Sequence, residues 1–298
     1  MKQKRKFFTL VLFIVAIFII FVISLSNGAV SIGFSNLWRA IFQFDASVQT
    51  QQIIRTIRLP RVLGSFLVGS CFALSGALMQ GVTRNNLADS GLLGINSGAS
   101  LAMAVSFIFL PKTSAFGVFL ISLLGSFLVT LLVFFCLSLS RVGMNPIQLI
   151  LIGVAISSFF TAISQALTQL FDLQQDLAFW FVGGAANITW QQLKVIAPVY
   201  IVAVGCSFVL GKSVSLVNLS EAHALALGGH PKRTRIVVFL LVAVLAAIAV
   251  SLVGPVSFIG LMVLSWFGLS VCLTCIILIR WGIRDVCGLC GANDQSTL

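Results

Sequence analysis

Charge is the scarcest property of this chain. Of 298 residues only 8% are charged, with 7 Asp+Glu, 18 Lys+Arg and 2 His. A soluble domain carries about 25% charged residues, because water must wet its surface. With 59% hydrophobic residues and a mean hydropathy of +1.12, a water-soluble globular enzyme is excluded. A disordered chain is excluded too, since it would need the opposite composition. No Asp or Glu lies well inside an apolar run, whereas ion- and proton-coupled carriers place ionisable groups at membrane depth. Any energy for transport is therefore expected from another polypeptide. His223 and His230 both sit in a polar loop, and no nucleophile–base–acid set falls within the apolar runs. An intramembrane enzyme is not expected.

What is present is a series of charge-free apolar runs, and a membrane helix needs roughly 20 such residues. The runs predict eight spans, near 7–27, 62–82, 91–110, 115–139, 147–170, 192–211, 234–253 and 256–279. Gly254-Pro255 divides the last two, because proline removes a backbone donor and clashes with the preceding turn. The first run has a basic flank like a signal peptide, but it is long and lacks a clear cleavage site, so it reads as an uncleaved helix. A ninth stretch, 177–188, is too short to span and reads as re-entrant or interfacial. The expected fold is all-α, a polytopic transmembrane helix bundle.

The basic residues give an orientation. With the N-terminus inside, the inner segments hold Lys2, Lys4, Arg5, Lys6, Arg84, Arg141, Lys212, Lys232, Arg233, Arg235, Arg280 and Arg284. The outer segments hold Arg39, Arg55, Arg58, Arg61, Lys112 and Lys194. Twelve against six of the 18 basic residues favours a cytoplasmic N-terminus. The net charge of +11 therefore reads as topology signalling rather than nucleic-acid binding. Arg55, Arg58 and Arg61 crowd the outer end of the second span. They read either as headgroup anchors or as a docking site for an acidic partner outside the cell.

Small residues recur every fourth position at Gly69, Ala73, Ala77 and Gly81, and again at Gly94, Gly98 and Ala102. Such stripes let helices approach closely in lipid. The fifth span differs: Ser157, Thr161, Ser164, Gln165, Thr168 and Gln169 share one face. That face either lines an aqueous path or bonds neighbouring helices. In the inner loop, 218–229 reads as a short helix. Asn218 or Ser220 caps its start, Glu221 sits in its first turn, and Gly228 or Gly229 ends it. Leu219, Ala222, Leu225 and Ala226 form its apolar stripe. It is either a connector or a lever for a groove on a soluble partner.

These residues resemble the permease subunits of bacterial ABC importers for iron–siderophore complexes, haem and cobalamin. The likeness runs in order over about residues 1–263. It comprises Ile57-Arg-Leu-Pro-Arg61, Leu67-Val-Gly69 through Ala77, Gln80 to Ala99, and Leu151-Ile-Gly-Val-Ala155. It continues with Phe179-Trp through Gly184, Thr189-Trp-Gln191, Leu219 to Gly228, and Gly254-Pro255 through Val263.

The resemblance implies a ten-helix fold and a transport subunit that is not an enzyme, needs no cofactor and binds no metal. The lack of a G-x-x-x-x-G-K-[ST] run agrees with this, since ATP hydrolysis would lie on a separate subunit. It implies that Arg58 and Arg61 meet acidic residues of an extracellular substrate-binding protein. Leu219, Ser220, Glu221, Ala222, Leu225, Leu227 and Gly228 would form the helix that receives the ATP-binding ABC subunit. Ser157, Thr161, Ser164, Gln165 and Thr168 would line a translocation path shared with a second permease, identical or different. The expected product is an importer of an iron chelate in the bacterial cell membrane, driven by alternating access. Haem and cobalamin are alternative cargoes.

The chain departs from the family at Asn86 and Ser90, where Pro is common, and at Ser220, where Gly is common. The larger departure follows Val263. The family continues with Pro-His and two more helices, whereas this chain reads Leu264-Ser-Trp-Phe-Gly. Residues 264–298 carry Cys272, Cys275, Cys287 and Cys290, and residues 1–263 carry only Cys71, Cys136 and Cys206. The C-x-x-C pairs have zinc spacing, but the first lies inside an apolar run where a zinc ribbon does not fit. Cys287 and Cys290 could hold metal or form a redox pair if exposed. The expectation is a permease domain over 1–263 and a divergent tail over 264–298 that completes the eighth span to about 279. A reading-frame change near codon 264 accounts for the tail. A truncated, non-functional permease remnant is the alternative function, and an ATP-independent channel a third.

Overall fold

Away from water an apolar segment can satisfy its backbone N–H and C=O groups only internally, which selects helices. The computed structural model describes residues 15, 17, 19–26, 37–40, 43, 45, 47–85, 88–138, 146–219, 221–254 and 256, and among these every regular element is a helix. The elements are α1 (Gln49–Thr83), α2 (Ile95–Phe109), α3 (Ala115–Ser138), α4 (Pro146–Leu170), α5 (Gln174–Gly183), α6 (Trp190–Leu219), α7 (Glu221–Ala226) and α8 (Pro231–Val253). Helices α1, α3, α4, α6 and α8 contain apolar stretches long enough to cross a membrane. They contain the spans expected at 62–82, 147–170, 192–211 and 234–253, and the span expected at 115–139 as far as Ser138. The first expected span is helical at 19–26. The eighth, beyond Val256, lies outside the described residues, as do the tail and its four cysteines.

Helix α1 has 35 residues, or about 52 Å of rise at 1.5 Å per residue. It outruns the roughly 30 Å apolar layer, so its first turns stand beyond the hydrocarbon. Pro60 explains its one irregularity. A proline inside a helix lacks an N–H and collides with the carbonyl four residues back. Residues Ile54–Arg58, just before it, form a π-turn, and the Leu59 N–H reaches Ile54 O. The wider turn relieves the collision and carries Arg55 and Arg58 with it.

The third expected span, 91–110, is shorter than anticipated. After Arg84 the chain folds back along α1: Ser75 Oγ donates to Ser90 Oγ at 3.2 Å. Ser75 lies eight residues before Thr83, about 12 Å up the helix. Part of the depth is thus crossed by the 3-10 turn Ser90–Leu93, and α2 needs only 15 residues.

Helix α8 is the central pillar, with 67% of its apolar window buried. Val238, Val242, Leu245, Ala246 and Ala249 pack against α1, α3 and α6, and Phe239 stacks on Phe134 at 5.1 Å. Helices α2 and α3 meet at their glycines. A Cβ on Gly98 would lie 2.5 Å from Gly125 O, and one on Gly125 would lie 2.3 Å from Ala102 Cβ. The Gly94–Ala102 stripe is therefore a true contact surface. The Gly69–Gly81 stripe is so at one end only: Gly81 meets Val214 of α6, while Gly69 has nothing within 4 Å. Helix α4 is peripheral, with 11% of its window buried.

Candidate functional site

The residues singled out in the sequence fall at three places: the arginine end of α1, the open flank of α4, and the α6–α7 junction. At the first, Arg58 and Arg61 differ. Arg58 is half-buried, and its Nη1 donates to Leu25 O at 2.8 Å and Ser26 O at 3.1 Å. It thus ties α1 to the backbone of the helical residues 19–26. Arg61, three residues on, is exposed. It borders a cavity of about 390 Å³ whose other polar walls are Thr56, Thr189, Gln192 and Ser251. Trp180 of α5 forms part of the cavity wall.

Helix α6 starts at this cavity with a capping box. Thr189 N donates to Gln192 Oε1 at 2.9 Å, and Gln192 N donates back to Thr189 Oγ1 at 3.5 Å. The loop into α1 is held by Asp45, which accepts from the Ser47 hydroxyl at 2.7 Å and the Ser47 N–H at 2.9 Å. Those two bonds, the hydroxyl first, hold its carboxyl below the usual carboxylate range.

The polar face of α4 divides along its length. Ser164 and Thr168 are buried and Ser157 is half-buried, whereas Thr161, Gln165 and Gln169 are exposed. Ser157 Oγ donates to Gly153 O and Thr168 Oγ1 to Ser164 O, each at 2.6 Å. Both bonds return to their own helix. The arc thus has a satisfied, buried edge and an open edge, and Ser158 extends the open edge. Nothing in the sequence period distinguished the two edges, because both lie within one arc of roughly 140°.

At the other end of α1, α7 is shorter than the 218–229 helix read from the sequence, because α6 itself runs on to Leu219. Gly228 N–H bonds Leu225 O and Gly229 N–H bonds Ala224 O, with Gly228 at φ 75°. This is a Schellman closure. Ala224 turns inward, at 1% exposure, while Leu225 and Leu227 are 62% and 68% exposed. Helix α7 contains Glu221 and Ala222 and follows Leu219; Ser220 lies outside the described residues.

Two residues escaped the sequence reading. Arg84, taken only as an inner positive charge, adopts a left-handed conformation (φ 54°) and donates Nε to Val217 O at 2.8 Å. Asp89, placed at a span boundary, is buried at 6% exposure beside Gly91, whose Cβ would lie 3.0 Å from Asp89 Oδ2. Its burial follows from the fold-back, which no local pattern announced. Among the described residues no cluster of three or more His, Cys, Asp and Glu could hold a metal ion.

The chain as a whole is similar to known transporters. The chain is 37% identical over 81% of its length to the iron(3+)-hydroxamate import system permease protein FhuB of Bacillus subtilis, of which it spans 63%. It is 34% identical to the Fe(3+)-citrate import system permease protein YfmD of the same organism, covering 88% of this chain and 78% of the relative. With the hemin transport system permease protein HmuU of Yersinia pestis it shares 32% identity, over 84% of this chain and 75% of the relative. A solved inward-facing structure of a metal-chelate type ABC transporter superposes with a TM-score of 0.76 at 28% identity, covering 93% of this chain and 86% of that one. Residues 15–266 match the FecCD transport family, and this multi-pass membrane protein belongs to it.

Proposed function

We propose that the protein is the membrane permease subunit of a binding-protein-dependent ABC importer that brings an iron–siderophore-type chelate into the cytoplasm. The observation that carries this reading is the open flank of α4. Thr161, Gln165 and Gln169 are exposed on a helix that is long and apolar enough to span. Polar side chains facing lipid are costly, so such a flank fits a water-filled path or a second permease chain. Relatives described as permeases of ferric hydroxamate, ferric citrate and hemin import systems support a metal-chelate cargo.

The remaining parts take roles that fit their placement. Arg61, exposed at its cavity, would meet an acidic lobe of the binding protein, and Arg58 would hold the same turn in place. Leu225 and Leu227 would enter a groove on the ATPase, with Leu219, Ser220, Glu221, Ala222 and Gly228 shaping the lever. ATP hydrolysis would occur on that separate subunit, and alternating access would open the path between two permeases. The N-terminus would lie in the cytoplasm of a bacterial cell.

The test is uptake into proteoliposomes holding the full chain, its ATPase and its binding protein. Ferric hydroxamate, ferric citrate and hemin serve as probes. ATP-dependent uptake of one probe is the expected result. Uptake without ATPase would indicate a channel and overturn the reading.

A second reading rests on residues 267–298, which fall outside the family match. With 1–263 as the permease domain and 264–298 as a divergent tail, the chain would be a non-transporting remnant. Translating the other frames past codon 264 tests its origin. A Pro-His start followed by two apolar helices supports a frame change, and neither frame giving one removes it.

A further inference from the structure

Helices α1 and α6 run side by side in the same direction and meet along their whole shared length. At one end Trp190 Nε1 donates to Arg55 O at 2.8 Å. Midway, Ser70 Oγ and Tyr200 Oη are 2.7 Å apart. Further on a Cβ at Gly81 would lie 2.6 Å from Val214 Cγ1, so the two backbones are in close approach. At the far end Arg84 donates both Nε and Nη2 to Val217 O. The register stays near constant from the pair 55/190 to the pair 84/217, which spans about 40 Å of helix.

The Arg84 contact is built rather than incidental. Arg84 sits in a left-handed backbone conformation that residues other than glycine rarely adopt. From there its guanidinium reaches the last turn of α6, where carbonyls lack intrahelical partners and the helix dipole is negative. Val217 lies two residues before the end of α6, and α7 begins at Glu221. Helix α7 adjoins α6 and α8, and Arg84 adds a direct polar tie between α1 and the end of α6 that α7 follows. Through that tie a push on α7 meets α1, whose other end carries Arg55, Arg58 and Arg61.

Resting on the reading of the chain as an importer permease, we propose that Arg84 latches α6 to α1 into one strut. The strut delivers displacement of the α7 loop to the arginine end of α1. Arg84 is a positioning residue: it touches neither cargo nor nucleotide.

The test uses the full chain in lipid nanodiscs, alone and assembled with its ATPase. In the chain alone, Arg84→Gln is expected to raise amide hydrogen exchange over residues 214–226 by about tenfold, the worth of one charged hydrogen bond. Exchange over 195–205 should stay as it was, and Arg84→Lys should give an intermediate value. In the assembly, the ratio of ATP hydrolysis with the binding protein to that without it should fall toward one for Arg84→Gln and recover in part for Arg84→Lys.

Unchanged exchange overturns the latch. Raised exchange with an intact ratio reduces Arg84 to a helix cap and overturns the strut. A Gly81→Cys/Val214→Cys pair, with the native cysteines changed to alanine, reads the strut independently of Arg84. Oxidation should leave the ratio intact if α1 and α6 move together, and a ratio that collapses and returns on reduction shows that they slide. If the unaltered assembly gives no stimulation, the permease reading fails, and the exchange result still decides the latch.

Discussion

Ser70 Oγ and Tyr200 Oη lie 2.7 Å apart between α1 and α6, and the same serine hydroxyl lies 2.7 Å from Leu67 O. One hydroxyl pair therefore joins two membrane helices at mid-length. Interhelical hydrogen bonds in membranes are worth about 0.6 kcal/mol on average. Tyr200→Phe and Ser70→Ala are each expected to destabilise the chain by about that amount. The double variant should lose no more than either single, because both remove the same bond. Unfolding in mixed micelles measures all three, and additive losses would show that the two hydroxyls act separately.

The glycines divide into those that permit a helix crossing and those that do not. Gly125 faces Ala102 Cβ at 2.3 Å from an added Cβ, whereas Gly205 has nothing within 4 Å. Overpacking a filled contact destabilises by about 1–3 kcal/mol. Gly125→Leu should therefore lose about 3 kcal/mol or fail to give a monodisperse species in detergent. Gly205→Ala should be at least as stable as the parent. Size-exclusion profiles after a heat step compare them directly.

Periodicity and composition made much of the bundle legible. Five charge-free runs became α1, α3, α4, α6 and α8, because a single segment satisfies its own backbone in lipid only as a helix. What stayed hidden depends on contacts between distant residues. The bond from Ser75 to Ser90 shortens α2 and buries Asp89, and no window around either residue encodes it. Arg58 looked like Arg61 in sequence, but the carbonyls it binds belong to a segment 32 and 33 residues away. The short helix at α7 was anticipated by Gly228 and Gly229. Of the two caps the sequence offered, Asn218 instead continues α6, and Ser220, just before the observed start at Glu221, lies outside the described residues.

Arg58 and Arg61 should respond differently to charge reversal. Arg61 is exposed, so Arg61→Glu should leave thermal stability unchanged and weaken capture of the binding protein about tenfold at low ionic strength. The loss should shrink toward 1 M salt, where the screening length is about 3 Å. Arg58→Glu removes the hydrogen bonds to Leu25 O and Ser26 O and should lower the melting temperature as well. Capture measured across a salt series, beside a melting curve for each variant, separates the two. Equal melting temperatures would remove from Arg58 the role of tying α1 to residues 19–26.

The open flank of α4 gives opposite expectations for a lipid face and a path. If Gln165 faced lipid, Gln165→Leu would stabilise the chain and leave transport alone, since leucine partitions into hydrocarbon far better than a glutamine side chain. If Gln165 borders an aqueous path, the same change replaces a wetted surface with an apolar one where cargo passes. Uptake should then fall about tenfold, a barrier change of about 1.4 kcal/mol, with stability nearly unchanged. Thiol labelling adds a second readout. Thr161→Cys, exposed on the same edge, should react with a membrane-impermeant maleimide in the assembled importer. Thr168→Cys, buried on the satisfied edge, should not. A Thr161→Cys chain that resists labelling while Gln165→Leu transports normally would assign this flank to lipid and take the path elsewhere in the bundle.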